Sequence, residues 1–323
     1  MCTAVTYKTE RFYFGRNLDY DFSYGESVVI MPRGFSFPFC AEPISEKRYA
    51  IIGMAHVKDG CPLFYDAMNE KGLCAAGLNF VGNAVYMPAR AGNFGAAQFE
   101  VIPWLLSGCA SVLEARAVLE RTNITAAGFG GLPPAELHWL IADKDGCITV
   151  EPLEGGLKIY DNPVGVLTNN PPFETQLFSL NNYMALSPRP PENNFSNRLK
   201  LDKYSRGMGA IGLPGDLSSQ SRFVRAAFTK MNSYAAVGED KSVSQLFHIL
   251  GSAEQQCGCC ITESGKAEKT IYSSCLSAQT GIYYYKTYEN SQITAIDMRR
   301  ENLGASDLIA YFVDDKQRIF NRN

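Results

Sequence analysis

Apolar and polar residues alternate in two short runs at the start of the chain, CTAVTYK and RFYFGRN, with Thr9-Glu10 between them. A two-residue period puts one face of a strand against a core, so the pair predicts a β-hairpin. SVVIMPR, RYAIIGMAHV and GLCAAGLNF continue as strands, and Gly72 marks a tight turn before the last of them. The period changes between about residues 97 and 121. AAQFEVIPWLLSG is apolar at helical spacing, with Pro103 starting or kinking the helix. SVLEARAVLERT carries a capping box, Ser111 with Glu114, and places Val112, Ala115, Val118 and Leu119 on one face.

Strand patterns resume in ELHWLIAD, CITVEPLE, LKIYD and GVLTN, and the turns KDG and EGG predict an antiparallel meander. Residues 184–220 are richer in Pro, Gly, Ser and Asn and read as a loop or arm. SRFVRAAFTKMNSYA and SVSQLFHILGSA follow as helices, with Ser221 and Ser242 as candidate caps. GIYYYKTYEN and QITAIDM close the chain as strands. Helices come in pairs rather than after every strand, which predicts α+β layers with antiparallel sheets and not a Rossmann-type fold. No GxGxxG enters a helix and no GxxxxGK[ST] occurs. With no internal repeat or linker, residues 1–323 are expected to form a single domain.

Composition adds exclusions. Hydrophobic residues make up 46% and charged residues 20%, as in an ordinary globular protein. The net charge of −3 implies neither nucleic acid nor an anionic membrane as partner. No apolar run approaches the roughly 20 residues of a membrane span, and the first residues lack a signal-peptide core, so a cytoplasmic protein is expected. The 10 cysteines of this long chain are expected to be free thiols. CGCC (Cys257 to Cys260) lacks a second pair at structural-zinc spacing, so no metal is expected there.

The candidate chemistry sits at residue 2. Removal of Met1 would leave an N-terminal cysteine whose α-amine, with a reference pKa of roughly 8, can act as base for its own thiol. Cys2 also reads as a buried residue of a first strand. The returning hairpin strand brings GRNLD back beside it: Arg16 is placed to hold a thiolate and Asp19 to hold the amine. His138 and His248, in LHWLI and LFHIL, read as core or interface histidines rather than catalytic bases.

MCT, FGRNLD, MNEKGLCAAGLNF, LHWLIAD, VLTNNPPF, GLPGDLSSQSRFVRA and GIYYYKTYEN together resemble, in order and over nearly the whole chain, the choloylglycine hydrolases. These are the bile salt hydrolases and penicillin V acylases among N-terminal nucleophile hydrolases. The resemblance implies a four-layer αββα sandwich and no metal or organic cofactor. It matches Cys2 to the nucleophile, Arg16 to the arginine beside the thiol and Asp19 to the carboxylate near the free amine. Asn79 matches the oxyanion asparagine, Asn169 the second active-site asparagine and Arg222 the buried arginine of the polar cluster. Bile salt hydrolases of this family typically carry Asn where Asn79 falls and penicillin V acylases often Tyr, which favours conjugated bile salts as substrate. Leu18, Phe64 and the loop AAGFGGLPP, with Phe129 and Leu132, are candidate walls of a steroid-sized cleft. The resemblance also implies a bacterial homotetramer, with NNYMALSPRPPENNF as candidate arm. Penicillin V acylase and a non-catalytic steroid-binding protein of the same fold are the alternatives.

Overall fold

The computed structural model describes residues 1–234 and 237–323, so Ala235, the last residue of the helical run SRFVRAAFTKMNSYA, lies outside the described residues. The first strands are β1 (Cys2–Lys8), β2 (Phe12–Tyr20), β3 (Ser27–Met31), β4 (Ile51–Lys58), β5 (Cys61–Asn69), β6 (Cys74–Asn79) and β7 (Phe94–Ala97). Helices α1 (Val101–Gly108) and α2 (Val112–Leu119) come next. Then follow β8 (Thr122–Thr125), β9 (Leu137–Ala142), β10 (Cys147–Leu153), β11 (Gly156–Asp161) and β12 (Val166–Leu167). After α3 (Phe173–Ser179), α4 (Ser219–Asn232) and α5 (Glu239–Gly251), the chain closes with β13 (Cys260–Ile261), β14 (Ala267–Ser277), β15 (Ile282–Thr287), β16 (Thr294–Asp297) and β17 (Ile309–Phe312).

Two antiparallel sheets result. One runs β12-β1-β2-β14-β15-β16, with β13 against β14; the other runs β11-β10-β9-β6-β5-β4-β3-β17. Alternation along the second sheet sends side chains into two different cores. Val28, Ile30, Ile52 and Met54 face the first sheet, whose other face packs on Leu246, Phe247 and Leu250 of α5. Val29, Met31, Ile51 and Ile141 face Trp104, Leu105 and Leu119 of α1 and α2. The order of layers is therefore α4/α5, first sheet, second sheet, α1/α2: a four-layer αββα sandwich. Among the described residues no helix is long and apolar enough to cross a membrane.

Local chemistry moves several boundaries. Ala96 and Ala97 end a strand, and the helix starts only at Val101. Pro103 is its third residue, where a helix needs no N–H donor. β7 and β8 form a separate parallel pair, because the α1–α2 connection between them is long enough for a crossover. Ser111 caps α2 as expected, accepting the Glu114 N–H at 3.3 Å. Ser221 and Ser242 are not caps. Ser218 caps α4, and the Ser221 hydroxyl instead reaches Asp216 Oδ2 at 2.6 Å. α5 begins at Glu239, whose charge suits a helix N-terminus, and Ser242 lies inside it. The hydrophobic pattern does not mark β14, because its Thr and Ser side chains are buried in hydrogen bonds rather than in an apolar face.

Gly15 lets β2, β14 and α5 come together. A Cβ there would lie 2.3 Å from Ser274 O and 3.0 Å from a Leu246 methyl. Gly15→Ala is expected to destabilise the fold by about 1–3 kcal/mol through overpacking, read from the midpoint of urea unfolding.

Candidate active site

The β1–β2 register sets the site. Cys2 pairs with Leu18 and Ala4 with Arg16, so Cys2, Arg16 and Leu18 share one face, while Thr3, Asn17 and Asp19 share the other. The first face looks toward the second sheet, the other toward α4 and α5. Arg16 is fully buried. Its guanidinium crosses the gap between the sheets and donates to Tyr65 O at 2.8 Å and Gly77 O at 2.9 Å. Its remaining terminal nitrogen donates to Cys2 Sγ at 2.7 Å. Two fixed carbonyls thus aim a permanent cation at the sulfur.

The opposite face carries a second buried cation. Arg222, in the first turns of α4, donates to Cys2 O at 2.5 Å, Thr3 Oγ1 at 2.6 Å and Asn169 Oδ1 at 2.8 Å. Asn169 follows β12, which pairs with β1. Its Oδ1 also accepts the Cys2 N–H at 2.8 Å, and its Nδ2 donates to Asn79 O at 2.8 Å. One side chain therefore joins the ends of β1, β6 and α4. Asp19 takes the Thr270 hydroxyl on Oδ1 at 2.6 Å, while its buried Oδ2 has no hydrogen bond and stands 3.8 Å from Arg222. Burial pushes the Asp19 carboxyl up and the Arg222 guanidinium down, and each counters this for the other.

The Met1 amine donates to Asp19 O at 2.6 Å and pairs with the Glu268 carboxylate. Glu268 and Thr270, both on β14, carry no local sequence motif; only the β2–β14 pairing brings them here.

Cys2, Arg16 and Asn79 line a cleft of about 400 Å³. Leu18, Phe64, Phe129 and Leu132 line it too, with Leu63, Phe99 and Ile102. Phe129 and Leu132 pair across a turn whose Gly130 and Gly131 both have positive φ, and the Phe129 ring rests on Phe99 at 4.9 Å. Asn79 ends β6, and among the described residues its side-chain amide makes no hydrogen bond. Tyr20, Tyr24, His56, Gln98 and Glu136 add polar groups that the hydrophobic pattern does not single out.

His138 and His248 lie outside the cleft that Cys2 lines. His138 is buried against Phe80, between Glu151 at 3.0 Å and Thr168 O at 2.9 Å. His248 is exposed on α5 rather than in a core, because its position on the helix turns away from the first sheet. All 10 cysteines are free, with Cys257 and Cys259 exposed. No group of three or more His, Cys, Asp or Glu among the described residues could hold a metal.

An αββα sandwich with a cysteine heading its first strand has the fold of the N-terminal nucleophile hydrolases. Within that class the chain belongs to the choloylglycine hydrolase family of linear amide C–N hydrolases, whose family model matches residues 2–311. It is 54% identical over 312 residues to a bile salt hydrolase/transferase of Lactiplantibacillus plantarum, covering 96% of each chain. It is 36% identical to a bile salt hydrolase/transferase of Clostridium perfringens, again over 96% of each. The crystal structure of the C2A mutant of the conjugated bile acid hydrolase from Clostridium perfringens superposes with a TM-score of 0.90 at 34% identity, covering all of both chains. A penicillin V acylase from Agrobacterium tumefaciens shares the fold, with a TM-score of 0.73 at 22% identity, over 96% of this chain and 90% of its own.

Removing the Arg222 charge strands Asp19 in a dry site. Arg222→Met is expected to cost about 3–5 kcal/mol of stability in urea unfolding. Adding Asp19→Asn to that variant should return part of the loss, since no buried charge is then left unpaired.

Proposed function

We propose that this chain is a bile salt hydrolase, cleaving the amide bond that joins a bile acid to glycine or taurine. The observation that carries the reading is the Cys2 thiol under Arg16 at an apolar cleft, beside the unbonded side-chain amide of Asn79. The curated relatives named above support the substrate class.

In this reading Met1 is removed and the Cys2 amine becomes free. The amine takes the thiol proton while Arg16 steadies the sulfur's negative charge. Asp19 Oδ2, which lacks a donor while Met1 is attached, and Asn169 Oδ1 orient the amine. The sulfur attacks the amide carbonyl, a C–S bond forms, and the carbonyl electron pair moves onto oxygen, where Asn79 donates to it. The pair returns, the C–N bond breaks, and the proton held on the amine passes to the departing glycine or taurine. Water then attacks the thioester carbonyl and gives one proton to the amine; the C–S bond breaks, that proton passes to sulfur, and the bile acid leaves. Arg222 holds Asn169 and the Cys2 carbonyl in register. The scheme uses no metal or organic cofactor.

The same reading makes residues 1–323 one domain, supported by β17 pairing with β3, so that a strand from late in the chain adds to the edge of the second sheet. It places the enzyme in the bacterial cytoplasm and assembles it as a homotetramer. Exposed apolar side chains on the arm, Met184 and Phe195, with Leu199 and Leu201 just after it, support the assembly.

Intact mass and turnover of glycocholate and taurocholate test the proposal. Protein lacking Met1 is expected to release cholate, Cys2→Ala to release none, and Asn79→Ala to lose about 10²–10³-fold in kcat. Processed protein that leaves both conjugates intact but cleaves penicillin V would overturn the substrate assignment.

A further inference from the structure

Behind Arg16, away from the cleft, lies a second charged group that the proposed mechanism does not use. Asp66 on β5 is fully buried between the two sheets. Its Oδ1 accepts the Tyr272 hydroxyl at 2.6 Å; its Oδ2 accepts Ser274 at 2.9 Å and Tyr283 at 2.9 Å. All three donors come from the facing sheet, on β14 and β15. The protons point toward Asp66. Burial keeps both tyrosines as phenols, and Ser274 Oγ accepts the Arg16 backbone N–H at 3.3 Å, which frees its own proton for Asp66. A carboxyl that receives three hydroxyl protons is an acceptor, which is the ionised form. Burial leaves the Asp66 carboxyl above its ordinary value, with Arg16 and the three hydroxyls pulling against that rise.

Asp66 makes no ion pair with Arg16 within 4.0 Å, yet the guanidinium rests on the carbonyl of its neighbour, Tyr65. Asp66 is thus near enough to offset the charge and too far to take an N–H. A carboxylate in direct contact would draw the guanidinium off the sulfur. With no carboxylate, the sulfur would lie between two buried cations, Arg16 and Arg222, with only Asp19 and Glu268 on the Arg222 side to balance them.

We propose that Asp66 is a positioning residue, the buried counter-charge of Arg16 that tempers its pull on Cys2 while leaving its N–H groups on the sulfur. The inference rests on the reading of Cys2 as nucleophile. A thiolate held too strongly is a weaker nucleophile, since reactivity falls with thiol pKa at a Brønsted slope of about 0.4–0.5. The groups around Asp66 are Arg16 from β2, Tyr272 and Ser274 from β14, Tyr283 from β15 and Cys74 from β6. Those around Cys2 are its own freed α-amine, Arg16 from β2 on the cleft side, and Arg222 from α4, Asp19 from β2 and Glu268 from β14 on the other.

The test is the pH dependence of Cys2 alkylation by iodoacetamide in Met1-processed protein, read at the Cys2 peptide by mass spectrometry. In Asp66→Asn the titration midpoint should fall by about one pH unit. The plateau rate at high pH should fall about three-fold. Tyr283→Phe, which keeps the carboxylate and removes a hydroxyl dipole that partly neutralises it, should shift the midpoint the opposite way, upward, and by less. It also serves as the folded variant if Asp66→Asn fails to fold. A midpoint that does not fall in Asp66→Asn, or does not rise in Tyr283→Phe, overturns the role of Asp66. The assay needs no bile salt, so it separates from failure of the functional reading, which would appear as bile salt turnover surviving Cys2→Ala.

Discussion

Arg16 carries a permanent charge into the dry space between two sheets, and much of the structure exists to make that tolerable. A lone buried guanidinium would lose several kcal/mol of hydration. Here its nitrogens reach two backbone carbonyls of the facing sheet and one sulfur, and a carboxylate stands just behind it. The guanidinium therefore also fastens the first sheet to the second. The nucleophile candidate and the centre of the sandwich share one side chain.

The strand pair β1–β2 then divides the work by face. On the cleft side stand the thiol, Arg16 and Leu18, with apolar walls from β5, α1 and the loops that carry Phe99 and Phe129. On the helix side stand Thr3 and Asp19, reached by Arg222 from α4. The backbone of Cys2 lies between the two sides, its N–H on Asn169 and its carbonyl on Arg222. A proton relay through the amine and a charge on the sulfur can be controlled separately in such a layout, because different groups hold each.

Much of this was legible in the order of residues. Cysteine behind methionine, followed by a hairpin returning Arg16 and Asp19, is a local pattern with a fixed register, so proximity follows from strand geometry alone. Asn79 and Arg222 were legible only through resemblance. Read alone, Arg222 at a helix start is an ordinary surface residue, yet it is fully buried. Glu268, Thr270 and Asp66 gave no signal. Each lies in a strand whose polar residues face inward, where hydrophobic alternation carries no information.

What the sequence determined by itself is short-range: most of the strands, the two helix pairs, the meander and the hairpin that sets Arg16 beside Cys2. Those follow from residue periodicity and turn chemistry, which act over a few positions. The tertiary structure decided which distant strands became neighbours. β14 pairs with β2, which lies some 250 positions away, and that pairing brings Thr270 to Asp19 and Ser274 to Asp66. Buried polar groups must find partners, and the partners available are fixed by how the sheets stack rather than by anything nearby in the chain.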